Sequence, residues 1–167
     1  VCSSDLFFFW LSSRELWCGL ALALGAYAVL RRDWYLLKVL GLMVLAVAVC
    51  DLACTYWLKP FFQRVRPCHY LENARRVGGI CGSEMGMPSN HAANGMAITV
   101  IVAIYYSWPW LLLSLLFTAL VGFSRVYLGV HFPGDVLAGY GVGFVAGSFL
   151  AISLHRWIKT KTKGMKK

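Results

Sequence analysis

Three short stretches of a largely apolar chain hold most of the residues that could do chemistry. The first contains Lys59 and Arg66, the second His91, and the third Arg125 and His131. An ammonium group and two guanidinium groups are the usual partners of phosphate oxygens. Of two imidazoles, one can attack phosphorus while the other protonates the departing oxygen. The pattern therefore predicts phosphoryl transfer, and it leaves open which histidine is the nucleophile.

Two further positions would complete such a site. Asp135 follows His131 by four residues, and a carboxylate there can hold the far ring nitrogen and fix its tautomer. This pairing is the one argument from the residues alone that His131 attacks. Ser89 stands where a helix N-cap belongs, and Pro133 where a first helical turn should begin. Two helix N-termini would then direct free backbone N–H groups at the same anion.

The composition indicates that membrane-spanning helices position these groups. Of 167 residues, 59% are hydrophobic and 14% are charged, whereas soluble domains are about 45–50% apolar and about 25% charged. Five apolar stretches approach the roughly 17–25 residues that cross a bilayer. They cover residues 16–30, 34–58, 92–108, 110–123 and 136–154. The aromatic segment 6–11 is too short to span and predicts an interfacial helix over residues 1–12. The expected fold is an all-α integral membrane bundle of five spans plus that interfacial helix.

The basic balance of the chain indicates its partners and its orientation. A net charge of +9 in a soluble protein would suggest nucleic acid. Here the basic residues fall at the ends of apolar runs, which favours anionic lipid headgroups or a phosphate-bearing lipid and no nucleic acid. Basic residues are slightly more numerous on the side that holds the tail 155–167, so that side is expected to be cytoplasmic. The loop 60–90 and the reactive groups then lie on the outer face.

The three stretches resemble the signatures of the type-2 phosphatidic acid phosphatases. Residues 59–67 are similar to Lys, six residues, Arg-Pro; residues 88–91 to Pro-Ser-Gly-His; and residues 124–135 to Ser-Arg, five residues, His, three residues, Asp. All three spacings are intact. The resemblance implies a single transmembrane phosphatase domain over residues 1–167 that works without a metal or another cofactor.

The same resemblance assigns roles to individual residues. His131 is the nucleophile that forms a phosphohistidine, Asp135 orients it, and His91 is first the acid for the leaving group and then the base for water. The phosphate-binding residues it implies are Lys59, Arg66, Ser89, Asn90 and Arg125. Asn90 departs from the usual glycine; Asn is the next most tolerant residue for such a backbone, and its amide is expected to point toward the phosphate.

The substrate is inferred from charges beside the site. Arg64, Arg75 and Arg76 favour a large polyanionic headgroup, so lipid A 1-phosphate is the first expectation. Undecaprenyl diphosphate and phosphatidylglycerol phosphate are alternatives. A non-catalytic lipid-phosphate binder or transporter is an alternative of another class, since it would need the cations but neither the paired carboxylate nor a second histidine. The expected location is the bacterial inner membrane, with the site facing the periplasm.

Two more patterns carry structural predictions. Cys68 and Cys81 share the outer loop, where an oxidising compartment would favour a disulfide. Gly139, Gly143 and Gly147 recur every fourth residue and let another helix approach closely. Packing inside the bundle of the chain itself is the favoured interpretation and dimerisation the alternative, so the protein is expected to be a monomer or a weak dimer. Asp51, inside the second span, is either functional or a hydrogen-bonded structural residue.

Overall fold

Helices make up almost the whole of the described chain. The computed structural model describes residues 3–72, 74 and 81–164, with side chains described as far as residue 156. The helices are α1 (Ser3–Leu11), α2 (Arg14–Leu30), α3 (Trp34–Leu52), α4 (Lys59–Phe62), α5 (Pro67–Tyr70), α6 (Asn90–Tyr105), α7 (Trp108–Tyr127) and α8 (Pro133–Gly164). A π-helical segment, Ala53–Leu58, joins α3 to α4. Within these ranges the β-structure is limited to one isolated bridge, between Val65 and Met85. The predicted all-α class is therefore confirmed.

Several helices are suited to a bilayer, which makes this a multi-pass membrane protein. Among the described residues, three helices are long and apolar enough to cross: Trp34–Phe62, Trp108–Tyr127 and Pro133–Arg156. The pair formed by α1 and α2 passes the same test as one span bent by 51°. The helix α6 has 16 residues, close to the lower limit for a span. The count of five spans stays a prediction.

The core forms where α6 lies against α3 and α8. Ala93, Ala97 and Ile101 of α6 pack with Ala46 and Cys50 of α3 in one buried cluster. Small residues on α6 allow the neighbouring helices to approach it closely. Packing against both α3 and α8 therefore fixes the direction of α6.

The glycines of α8 face the backbone of α6. A Cβ atom at Gly139 would lie 2.5 Å from the carbonyl oxygen of Ser89, and one at Gly147 would lie 2.9 Å from that of Ala97. A Cβ atom at Gly143 would overlap the carbonyl oxygen of Ala93. The glycine face thus packs inside the bundle of the chain itself, which was the favoured interpretation.

A sharp corner separates α1 from α2. The side chain of Ser13 caps α2 by accepting from the N–H of Leu16 at 3.3 Å, and the Trp17 indole donates to the Leu11 carbonyl at 2.8 Å. The helix α1 lies against the end of α7, where the Phe8 ring is 4.6 Å from that of Tyr127, centroid to centroid. The interfacial position of α1 stays a prediction.

The loop that follows α4 folds back on itself beside the helix ends. Gln63 ends α4 in the left-handed conformation, with φ of 46°. The N–H of Arg66 then donates to the carbonyl of Glu84 at 3.0 Å, and that of Gly86 donates to the carbonyl of Arg64 at 2.7 Å. These bonds bring two arginine side chains against the ends of the long helices.

A disulfide joins the two cysteines of this loop. The Cα atoms of Cys68 and Cys81 are 5.9 Å apart. Arg75 and Arg76, which the sequence predicts as headgroup contacts, lie outside the described residues. At the other end of the chain, α8 continues to Gly164, so the predicted basic tail, 155–167, is largely a helical extension of the last span.

Candidate active site

The turn between α7 and α8 presents a buried histidine next to a buried carboxylate. His131 is 2% exposed and Asp135 is fully buried. The Nδ1 atom of His131 lies 3.4 Å from Oδ2 of Asp135, which also accepts from the Phe132 N–H at 2.9 Å. Pro133 begins α8, as predicted, and the rigid first turn places the carboxylate under the ring. A carboxylate at Nδ1 favours the tautomer whose Nε2 lone pair is free to react.

Arg66 approaches the reactive nitrogen of that ring. Its Nη1 atom lies 2.9 Å from Nε2 of His131, while its Nε donates to the Ser83 carbonyl at 2.7 Å and Nη1 to the Val130 carbonyl at 3.3 Å. A guanidinium group only donates, so Nε2 must accept. Asp135 and Arg66 therefore select the same tautomer from the two sides of the ring.

Burial keeps this imidazole neutral. It lowers the pKa of His131 to about 4, although the Asp135 carboxylate 3.4 Å from Nδ1 acts in the opposite direction, and Arg66 lowers it further. Burial also lowers the pKa of Arg66, with Asp135 opposing the change; a guanidinium stays charged at neutral pH all the same. At neutral pH the site thus holds a neutral imidazole beside a permanent cation.

The second histidine is held by a residue that no motif indicated. Nε2 of His91, in the first turn of α6, lies 3.1 Å from the backbone carbonyl of Ser12. The hydroxyl of Ser12 accepts from Nη1 of Arg125 at 2.7 Å, and Ser12 is 4% exposed. Because a carbonyl only accepts, Nε2 of His91 carries the proton and Nδ1 is the free nitrogen. The corner between α1 and α2 is therefore part of the site.

Cations and unpartnered polar atoms surround the two rings. Lys59 is buried at the start of α4, and Ser89 caps α6 with its hydroxyl unused by the helix. Among the described residues, the hydroxyl oxygen of Ser89 and the Nε atom of Arg125 are buried without a hydrogen-bond partner. The N–H of Ser89 donates to the Asp135 carbonyl at 2.9 Å, which joins the start of α6 to the start of α8. Buried donors without partners are uncommon, and phosphoryl oxygens would satisfy these.

The side chain of Asn90 points elsewhere than predicted. Its Nδ2 donates to Oδ1 of Asp51 at 2.8 Å and lies 3.3 Å from the Thr55 hydroxyl. Asn94 donates to the same oxygen of Asp51 at 3.1 Å. In place of the expected contact with phosphate, this amide forms a hydrogen bond to α3, because the Asp51 carboxylate oxygen lies within its reach. The backbone N–H of Asn90, at the start of α6, remains for an anion.

Arg64, which the sequence predicts as a headgroup contact, lies against the carboxylate of Asp135. Its Nη1 lies 3.3 Å from Oδ1 of Asp135, and its guanidinium carbon lies 4.5 Å above the Phe132 ring. The Asp135 carboxylate is thus shared between His131 and an arginine. The sequence shows the pattern Arg-x-Arg, Arg64 and Arg66, at the end of the first signature. Nothing in that pattern indicates which arginine contacts the Asp135 carboxylate and which contacts substrate.

An open cavity lies beside Lys59. It has a volume of about 250 Å³ and is lined by Thr55, Lys59, Ser83, Glu84 and Met85. The residues around it are of mixed type, but most of the surface they expose to the cavity is apolar. A headgroup attached to a phosphate at Lys59 would have room here.

Comparisons with known proteins agree with this arrangement. The sequence pattern of the PAP2 superfamily matches residues 35–162. The lipid A 4'-phosphatase of Porphyromonas gingivalis is 29% identical over 87% of this chain and 64% of its own length. The phosphatidylglycerophosphatase B of Bacillus subtilis is 33% identical over 63% of this chain and 53% of its own length. The chain therefore spans less than two thirds of the length of these relatives.

A solved structure extends the similarity to the fold. The crystal structure described as the first transmembrane PAP2-type phosphatidylglycerolphosphate phosphatase from Bacillus subtilis superposes with a TM-score of 0.68 at 25% identity. The alignment covers 92% of this chain and 76% of that one. The overall helical fold is thus shared with a membrane phosphatase.

Proposed function

The chain belongs to the PAP2 superfamily, and on this premise we propose that it hydrolyses the phosphate of a membrane lipid. One observation carries the proposal: His131 has Asp135 at Nδ1 and Arg66 at Nε2, inside a cluster that also contains His91 and Arg125. A protein that only bound lipid phosphate would need the cations, but it would have no use for an oriented, neutral imidazole.

In the first step, the Nε2 lone pair of His131 attacks phosphorus. A phosphorus–nitrogen bond forms as the bond to the lipid oxygen breaks. His91, protonated at Nδ1 as well as at Nε2 once the anionic phosphate is bound, donates its Nδ1 proton to that oxygen, so the lipid leaves as an alcohol and His91 becomes neutral. The N–H of Arg66 that donates to Nε2 in the substrate-free protein donates to a phosphoryl oxygen in this step. Asp135 stabilises the positive charge that develops on the ring.

In the second step, water attacks the phosphohistidine. His91 takes a proton from the water, the phosphorus–nitrogen bond breaks, and inorganic phosphate leaves with the nitrogen lone pair restored. Lys59, Arg125 and the Ser89 hydroxyl bind the equatorial oxygens in both steps. Such fixed donors act where negative charge accumulates in the transition state.

We propose lipid A as the substrate class. The lipid A 4'-phosphatase among the relatives supports this class, and the open cavity of about 250 Å³ beside Lys59 has room for part of a headgroup. The sequence favours the 1-phosphate, whereas the name of that relative favours the 4' position. Phosphatidylglycerol phosphate is the alternative that the other relative supports, and undecaprenyl diphosphate is the third candidate.

The test is release of inorganic phosphate by the purified protein from each of these lipids in mixed micelles. Bisphosphorylated lipid A and its two monophosphorylated isomers give the position, because one isomer should be hydrolysed and the other left intact. If phosphatidylglycerol phosphate or undecaprenyl diphosphate is hydrolysed and lipid A is not, that lipid is the substrate instead. No phosphate from any of them would favour the non-catalytic binder.

We also propose that the site faces the periplasm from the bacterial inner membrane. The disulfide between Cys68 and Cys81 supports an oxidising side. A membrane-impermeant maleimide applied to intact cells should label Glu84→Cys and leave Arg32→Cys unlabelled, with the wild-type protein as the baseline. The reverse pattern would invert the topology.

A further inference from the structure

A carboxylate inside the second span has a partner in the active site. Asp51 lies near the end of α3, and its Oδ1 atom accepts from Asn90 at 2.8 Å and from Asn94 at 3.1 Å. An ionisable group at membrane depth is costly unless it is paired. Two amides converge on one oxygen of this carboxylate, so Asp51 restrains the side chains that donate to it.

The segment that Asp51 holds is the one that carries the acid–base histidine. Asn90 begins α6, between the N-cap Ser89 and His91. Ser89 is held to the start of α8 through the Asp135 carbonyl, and His91 is held to the Ser12 carbonyl. The bond from Asn90 to Asp51 is the contact that fixes the same turn on the side of α3.

The chain between Asp51 and Lys59 strengthens this connection. It contains the π-helical segment Ala53–Leu58, whose Thr55 hydroxyl lies 3.3 Å from the Asn90 amide. Single π-helical turns are frequent near functional sites. Because Lys59 follows directly, one continuous helix supplies a phosphate-binding cation and also holds the turn that carries His91.

We propose that Asp51 is a positioning residue: by holding Asn90, it sets the orientation of the first turn of α6 and so the placement of His91 and Ser89 in the phosphoryl site. The proposal rests on the proposed function. Asn90 stands where the family has glycine. The proposal gives its side chain a role in orienting the turn, in place of a contact with phosphate.

Asn94 provides the matched control. It donates to the same carboxylate oxygen as Asn90, but it lies one helical turn farther from His91. If Asp51 only stabilised the packing of α6 on α3, the loss of either amide would have the same effect. If Asp51 positions the site, the loss of Asn90 is the damaging change.

The experiment is a double-mutant cycle on lipid hydrolysis. Asp51→Leu and Asn90→Ala should each lower kcat on the order of tenfold to a hundredfold, the range for a hydrogen bond to a charged group, with KM changed less than about threefold. The double variant should be no worse than either single one. Asp51→Asn should recover part of the loss, because its amide oxygen still accepts, and Asn94→Ala should stay within about threefold of wild type.

A second readout does not require turnover. Vanadate, which mimics trigonal-bipyramidal phosphorus, should raise the thermal midpoint of the wild type and of Asn94→Ala, and raise it less in Asp51→Leu and Asn90→Ala. Size-exclusion elution in detergent checks that each variant folds; Asp51→Asn and Asn90→Ala carry the test if Asp51→Leu does not.

Two results would overturn the inference: equal costs of Asp51→Leu in the presence and absence of Asn90, or equal damage from Asn94→Ala and Asn90→Ala. A wild-type protein that is inactive on every lipid would instead contradict the proposed function, and the vanadate comparison would still decide the role of Asp51.

Discussion

The two histidines of the site are held in opposite ways. The Nδ1 atom of His131 faces a carboxylate four residues along the chain, and the Nε2 atom of His91 faces a backbone carbonyl 79 residues away. His131 therefore presents Nε2 to the site, and His91 presents Nδ1. One orientation is local and the other depends on the packing of the first two helices.

The two partners suit different tasks. A carboxylate stabilises positive charge on a ring more strongly than a carbonyl does. In the proposed mechanism the His131 ring becomes positively charged when phosphorus is attached, whereas His91 gives up and regains a proton at Nδ1. A neutral carbonyl at Nε2 stabilises the protonated His91 ring less than a carboxylate would, so the Nδ1 proton is given up more readily.

The largest effect is expected when the nucleophile is removed. His131→Ala should lower kcat/KM on the order of 10⁴-fold or more, as loss of a covalent nucleophile does in other hydrolases. It should also abolish acid-labile labelling from a radioactive lipid phosphate. His69→Ala, in the outer loop, is the matched control and should retain activity; near-normal turnover by His131→Ala would reject the covalent mechanism.

Removal of the second histidine should produce a smaller and different defect. His91→Ala should cost about 10²- to 10⁴-fold, the usual contribution of a general acid or base. With an activated leaving group that needs no proton, phosphorylation should recover while hydrolysis of the intermediate stays slow. Trapped phosphohistidine should then accumulate in quench experiments; its absence would mean that His91 acts only as a binding residue.

Ser12→Ala probes the corner that holds His91. The change removes the hydroxyl that accepts from Arg125 but keeps the carbonyl that faces His91. A loss on the order of tenfold, mainly in KM, is expected, at the low end of the range for one hydrogen bond to a charged group. Ser13→Ala removes only the cap of α2 and is the control; an equal kinetic effect would show that the corner acts through stability alone.

The smallest effect concerns pH. Burial lowers the pKa of His131 to about 4, below the ordinary value of about 6.5. Protonation removes the attacking lone pair, so the fraction of competent nucleophile stays high as pH falls to about 5 and declines below about 4. Nitrogen-15 chemical shifts of the imidazole, assigned by their loss in His131→Ala, should show this midpoint in the substrate-free protein. A midpoint near 6.5 would mean that the ring is solvated.

Much of the His131 region could be predicted from the sequence, because its parts are local. Pro133 and Asp135 follow the histidine directly, and their spacing determines where they lie on the first turn of a helix. Similarly, the repeat of Gly139, Gly143 and Gly147 predicts a close helix contact, since only the spacing of small residues matters for it.

The His91 region could not be predicted to the same extent. Ser12 acts through its backbone carbonyl, which has no signature in a sequence, and it meets His91 only because α1 turns sharply into α2. The side chain of Asn90 points to the carboxylate of Asp51, and that of Arg64 points to the carboxylate of Asp135. Asp51 and Asp135 are distant from those residues along the chain, so only the packed bundle decides these contacts.

The glycine face of α8 makes the active site sensitive to substitutions on that helix. Main chain rests directly on main chain between α6 and α8, so no side-chain layer is present that could compress or repack. The spacing between the starts of α6 and α8, which carry residues of the site, is then set by backbone atoms. Screens for inactive alleles should therefore recover alanine replacements at Gly139 or Gly143, residues that never touch the lipid being hydrolysed.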